Sequence, residues 1–167
     1  MRKILFFQWN AFMQKGIERA FTYLGMEYDT FYYIFKDWDK DDDFKEKFKK
    51  RLQSGKEEYE YVFSVNFSPL ISEVCNDLQV KYVSWVYDCP LHIRNKEPMK
   101  YSCNTIFFFD RIEAENYRNK GVNAYHLPLA GDTVAFTEKY KYVDMNMMHS
   151  KEKGIYTGFT ETDMCDV

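Results

Sequence analysis

The feature that most constrains this chain is an alternation. Short apolar runs, each ending abruptly in polar or turn-forming residues, are separated by stretches with helical spacing. The pattern is clearest where Tyr61-Val62-Phe63-Ser64-Val65 runs into Asn66-Phe67-Ser68-Pro69, and Lys81-Tyr82-Val83-Ser84-Trp85-Val86-Tyr87 runs into Asp88-Cys89-Pro90-Leu91-His92. One helical pattern lies between them. Buried strands that alternate with helices predict a parallel sheet, and open α/β sheets bind ligands outside the carboxyl ends of their strands. The polar clusters fall at those ends.

The rest of the chain repeats the alternation. Lys3 to Gln8 is a strand closed by Trp9-Asn10, and Asn10 is a candidate N-cap for a helix with apolar residues at Met13, Ile17, Ala20, Phe21 and Leu24 and its stop at Gly25. A second strand is expected over Tyr28 to Phe35. From Asp37 to Arg51 acidic residues come first and basic ones later, matching a helix dipole, and Phe44, Phe48 and Leu52 form its apolar stripe. Acids also alternate at 37, 39 and 41, but a calcium loop would need Gly at 42 and Glu at 48, where Asp42 and Phe48 stand.

Ser68-Pro69 is an N-cap and N1 pair for a helix burying Ile71, Val74, Cys75 and Leu78. Leu91 to Asn104 is expected to be irregular, with one helical turn near Pro98. Thr105-Ile106-Phe107-Phe108-Phe109 predicts a strand buried on both faces. Asp110-Arg111-Ile112-Glu113 has capping-box spacing and opens a helix that Gly121 ends, and Val122 to Leu129 supplies a sixth strand. The expected fold is therefore α/β, a Rossmann-like open parallel sheet of about six strands with helices on both faces, over residues 1–131. Residues 132–167 lack a core pattern and are expected to be a linker or tail.

Composition removes several functions. A formal net charge of −3 lacks the basic footprint of a phosphate-backbone binder, so nucleic acid is not an expected partner. No apolar run approaches the roughly 18 residues that cross a bilayer, and the start enters a strand-like run too short for a secretory signal, which predicts a cytoplasmic protein. Cys75, Cys89, Cys103 and Cys165 include no C-x-x-C pair and read as free thiols. The first strand-to-helix turn, Gln8-Trp9-Asn10-Ala11-Phe12, has no glycine, which disfavours a dinucleotide. No phosphate-loop motif and no G-x-S-x-G elbow occur.

What remains is a ring of strand-end polar groups: Asn10, Asn66, Ser68, Asp88, His92, Asp110 and Arg111. Asn10, Ser68 and Asp110 are each explained as helix caps. Asp88 and His92, four residues apart at one strand end, could act as a general base and its partner or grip sugar hydroxyls, or could be a solvated turn. His126 lies within a strand and reads as structural.

These strand ends also carry a resemblance. The segments Val62 to Pro69, Ser84 to His92, Phe108-Phe109-Asp110-Arg111 and His126 to Ala130 together resemble the N-terminal domain of CgeB-like, spore-maturation-type bacterial glycosyltransferases, over roughly residues 1–132. The resemblance implies a GT-B architecture of two Rossmann-like domains across a cleft, with this half holding the acceptor. It implies Asp88 and His92 as catalytic candidates, and Asn10, Asn66, Ser68, Asp110 and Arg111 as acceptor-binding ones. No metal or cofactor is implied for this chain; Asp37-Trp38-Asp39 has D-x-D spacing but lies in the charged surface segment. A nucleotide sugar is expected only with a C-terminal donor domain. The partners implied are that domain and a glycan or other acceptor, with self-association through an uncovered cleft. A competing expectation is a stand-alone Rossmann-like protein-interaction module, docking through its strand ends or through a tail carrying Met145, Met147 and Met148.

Overall fold

A computed structural model describes residues 2–55 and 58–131. The expected linker or tail over residues 132–167, with Met145, Met147, Met148 and Cys165, lies outside the described residues. Six strands pair in parallel: β1 (Lys3–Gln8), β2 (Tyr28–Tyr32), β3 (Tyr59–Val65), β4 (Lys81–Val86), β5 (Asn104–Phe108) and β6 (Ala124–His126). The helices are α1 (Gln14–Tyr23), α2 (Asp42–Ser54), α3 (Pro69–Leu78) and α4 (Arg111–Arg118), with a 3-10 turn at Glu97–Lys100 between β4 and β5. The sheet order is β2-β1-β3-β4-β5-β6. This is the Rossmann-like open parallel sheet expected from the sequence.

The order fixes where the helices lie. The chain steps one way from β1 to β2, then the other way from β3 through β6, and parallel crossovers are right-handed. The crossover carrying α1 therefore covers one face, and those carrying α2, α3 and α4 cover the other. Packing agrees. Ile17 and Phe21 of α1 cluster with Ile4, Phe6 and Val65, whereas Leu5, Phe7, Val62, Tyr82, Ile106 and Phe108 pack in a larger core with Phe44, Phe48, Leu70, Ile71 and Ala114. Phe7 anchors that core edge-on to Phe44 and Phe48, at centroid distances of 5.7 and 6.2 Å.

Three expectations need correction. β5 is not buried on both faces: Asn104, Ile106 and Phe108 are buried, but Thr105 and Phe107 point to the α1 side and are only partly covered. All crossovers after β3 lie on the opposite face, so Val83, Trp85, Phe107 and Tyr125 join neither core cluster, and Tyr125 is 46% exposed. The second strand stops at Tyr32, opposite Gln8 at the end of β1, because an edge strand has nothing further to pair with. Beyond it Phe35 turns into the core against Phe44, at 4.7 Å. The sixth strand is likewise cut to Ala124–His126, since its register on β5 ends at Phe108.

Candidate functional site

The carboxyl ends of the strands gather the candidate residues on one edge of the sheet. In this order the direction of winding reverses between β1 and β3, so the crevice favoured for ligands lies at Trp9-Asn10 and Asn66-Phe67-Ser68. The indole Nε1 of Trp9 donates to the Val65 carbonyl at 3.0 Å and ties the two strand ends together.

Asn66 organises the next step. Its backbone is left-handed, φ 59°, a conformation that asparagine tolerates better than most residues. Its side chain reaches across to the end of β4: Oδ1 accepts the Tyr87 N–H and Nδ2 donates to Asp88 Oδ2, both at 2.7 Å. Its own N–H donates to the Trp85 carbonyl, and its carbonyl accepts the Ser64 hydroxyl. Behind it, the buried Tyr82 hydroxyl contacts Ser64 Oγ at 2.7 Å and accepts the Ser68 N–H at 3.0 Å. A fully satisfied network inside the core thus sets the position of an exposed carboxylate, Asp88. Asn66 and Ser68, expected to meet an acceptor, are only 8% and 2% exposed, with Phe67 between them at 1%.

Ser68 and Asp110 do cap helices. Ser68 Oγ accepts the Ile71 N–H at 3.4 Å, and Asp110 Oδ1 accepts the Glu113 N–H at 2.6 Å. Asn10 does not. It is exposed with φ 68°, and α1 starts four residues later behind Met13, which is also left-handed and makes no side-chain cap bond. Asn10 serves as a turn residue, the other role open to an asparagine at positive φ. Arg111 is exposed on the first turn of α4.

The capping box at α4 is only half made. Glu113 does not reach back to Asp110; its Oε1 accepts the Leu91 N–H at 3.1 Å and so pins the segment that follows β4, just after the cis Cys89-Pro90 bond. His92 is exposed on that segment, with no hydrogen bond or ion pair among the described residues. The structure therefore brings Asn66 and Asp88 together and leaves His92 unpaired with Asp88.

Groups outside the candidate list complete the edge. Asp41 caps α2, accepting N–H donors from Lys36 at 2.9 Å and Phe44 at 3.0 Å. Burial pushes its carboxyl pKa up, but those backbone donors and the Tyr33 hydroxyl outweigh it and leave the pKa lowered. Asp37 and Asp39 face Arg94 instead, so the alternating acids do not converge. Tyr87, just after β4, has a buried hydroxyl with no hydrogen-bond partner among the described residues, and burial pushes its pKa up to about 12. A charged groove of about 430 Å³ lies elsewhere, between α2 and α3, lined by Lys45, Lys49, Glu73 and Tyr101, and it contains none of the candidate residues. Glu113 had a local signal in its capping-box spacing and Asp37, Asp39 and Asp41 in their alternation, whereas nothing local singled out Tyr87 or Arg94.

No protein-family model, curated protein or solved structure matches this chain. Among the described residues, no helix is long and apolar enough to cross a membrane.

Proposed function

We propose that residues 2–131 form the acceptor-side half of a GT-B-type glycosyltransferase, inactive until a second domain supplies the nucleotide sugar. The observation that carries this reading is Asp88. Its carboxylate stands exposed at the carboxyl end of β4, one oxygen fixed by Asn66 Nδ2 at 2.7 Å and the other left to accept a hydrogen bond from a ligand hydroxyl. A carboxylate so oriented suits an acceptor hydroxyl, whose proton it would take as general base during transfer. Arg111 and Asn10 supply further polar contacts along the same edge.

The test is a titration of the isotope-labelled full chain with a panel of mono- and oligosaccharides, followed by amide shifts. Weak binding that moves Asn66, Tyr87 and Asp88, and is lost in Asp88→Ala, is the expected outcome. Turnover of a nucleotide sugar by this chain alone, or no response to any sugar, refutes the reading.

A second reading, a non-catalytic protein-interaction module, is favoured by a different observation. Val83, Trp85, Phe107 and Tyr125 form an apolar strip on the sheet face that α1 covers only at its other end. Capture of a partner that is blocked by Phe107→Asp, with no sugar response, supports it over the first.

A further inference from the structure

We propose that residues His92–Lys96 are a lid, hinged at Leu91, that spans the carboxyl end of β3 and is held shut by a clasp between Arg94-Asn95 and Asp39. The topology sets the span. The lid follows β4 and its catch follows β2; with the sheet ordered β2-β1-β3-β4, a contact between them must bridge β1 and β3, where the winding reverses.

The two sides of the clasp differ in how firmly they are held. The catch is fixed: Trp38 packs on Trp9 and Phe35, each at 4.8 Å, and Asp39 N–H donates to Asp37 Oδ1 at 2.8 Å. The hinge is fixed too, because Leu91 is buried and its N–H is held by Glu113. At the far end of the excursion Pro98 and Met99 are buried again.

The lid between these anchors is held loosely. Arg94 Nε lies 3.5 Å from Asp39 Oδ2 and its Nη1 4.0 Å from Asp37 Oδ2, with an Arg94 side chain 82% exposed. The Asn95 N–H donates to Asp39 Oδ1 at 3.4 Å, near the limit of a hydrogen bond. Ile93 packs partly against the core and Lys96 Nζ lies 5.5 Å from the Tyr117 ring. The remaining hydrogen bonds, Glu97 N–H to Asn95 Oδ1 and Met99 N–H to the Lys96 carbonyl, both at 3.2 Å, run only to the turn that follows the lid and do not tie it to the catch. Exposed ion pairs of this kind contribute little and are screened by salt. Opening swings His92 and Arg94 away as a unit and leaves Asp88, on the near side of the hinge, in place. The device does not depend on the glycosyl-transfer reading, and its test uses no sugar.

The experiment is residue-resolved amide hydrogen exchange on the full chain, comparing wild type with Arg94→Ala and with wild type in high salt. The Asn95 amide is expected to exchange about two- to fivefold faster in both, the range an exposed ion pair allows. The Leu91 amide, bonded to Glu113, and the amides of β1 are expected to keep their wild-type protection. Unchanged exchange at Asn95, or an equal rise at Leu91 and throughout β1, overturns the proposal, the latter because it would report general destabilisation.

Discussion

Asn66→Ala tests the network beneath Asp88 more sharply than any change to Asp88 itself. Three contributions add. Alanine in the left-handed conformation that residue 66 adopts, φ 59°, costs about 1 kcal/mol. Losing Oδ1 leaves the half-buried Tyr87 N–H without its acceptor, worth about 1–2 kcal/mol. Losing Nδ2 removes its bond to Asp88, about 0.5 kcal/mol at so exposed a carboxylate. The sum is about 3 kcal/mol. Read by urea denaturation, where slopes for small proteins are about 1–3 kcal/mol/M, the midpoint should fall by about 1–3 M. Asn66→Gly separates the terms: it loses the same hydrogen bonds but adopts the backbone freely, so it should be more stable than Asn66→Ala by about 0.5–1 kcal/mol. An alanine variant within about 0.5 kcal/mol of wild type, or a glycine variant less stable than it, would show that the backbone strain and the bridge to β4 do not matter as argued.

Two further outcomes follow from packing and charge. Phe108→Ala should cost about 3–4 kcal/mol, because the ring is fully buried and stacks on Tyr117 at 5.0 Å, whereas Phe107→Ala on the half-open face should cost about 1 kcal/mol; equal losses in thermal or urea unfolding would mean that the α1 face is as well covered as the other. The carboxyl of Asp29, chiefly through the Tyr59 hydroxyl, and that of Asp41, through backbone donors that outweigh its burial, are both held below the usual range. Depressed carboxyl pKa values give stability that is present above the unfolded value near 3.8 and lost as pH falls through the folded values. Melting temperature should therefore drop steeply below about pH 4, and less steeply in Asp41→Asn; an unchanged acid slope in that variant contradicts the assignment.

Local signals carried most of what the sequence made legible. The apolar runs marked all six strands because even the half-covered positions carry aromatic or β-branched side chains, such as Phe31, Phe63, Val83, Trp85 and Phe107, so the runs stay apolar where one face is open. Ser68 and Asp110 were readable as caps because a cap is settled within four residues. Asn10 failed by the same standard: nothing local distinguishes an asparagine that caps a helix from one that turns the chain ahead of it. The half-open face at Phe107 was hidden for another reason. Coverage follows from the order and handedness of the crossovers, and Thr105-Ile106-Phe107-Phe108-Phe109 looks the same whether one face is covered or two. Asn66 with Asp88, and Arg94 with Asp39, are 22 and 55 positions apart, and no periodicity announces such pairs.

The hydrogen-bond inventory also sorts the candidate residues by what they have left to offer. Ser68 and Asp110 each commit a side-chain oxygen to a helix terminus, and Asn66 uses both ends of its amide on β4. Asn66 and Ser68 are nearly closed to solvent and build the edge, while Asp110, half-buried at its cap, has only Oδ1 committed. Asp88 keeps one oxygen uncommitted, and His92, Arg111 and Asn10 are exposed. Ligand chemistry at this edge therefore falls first to Asp88, the one candidate both held by the core and open to solvent. His92 rides on the lid, and opening carries it away from this edge, so substitution of His92 should alter binding when the lid is shut far more than when Arg94→Ala has loosened it.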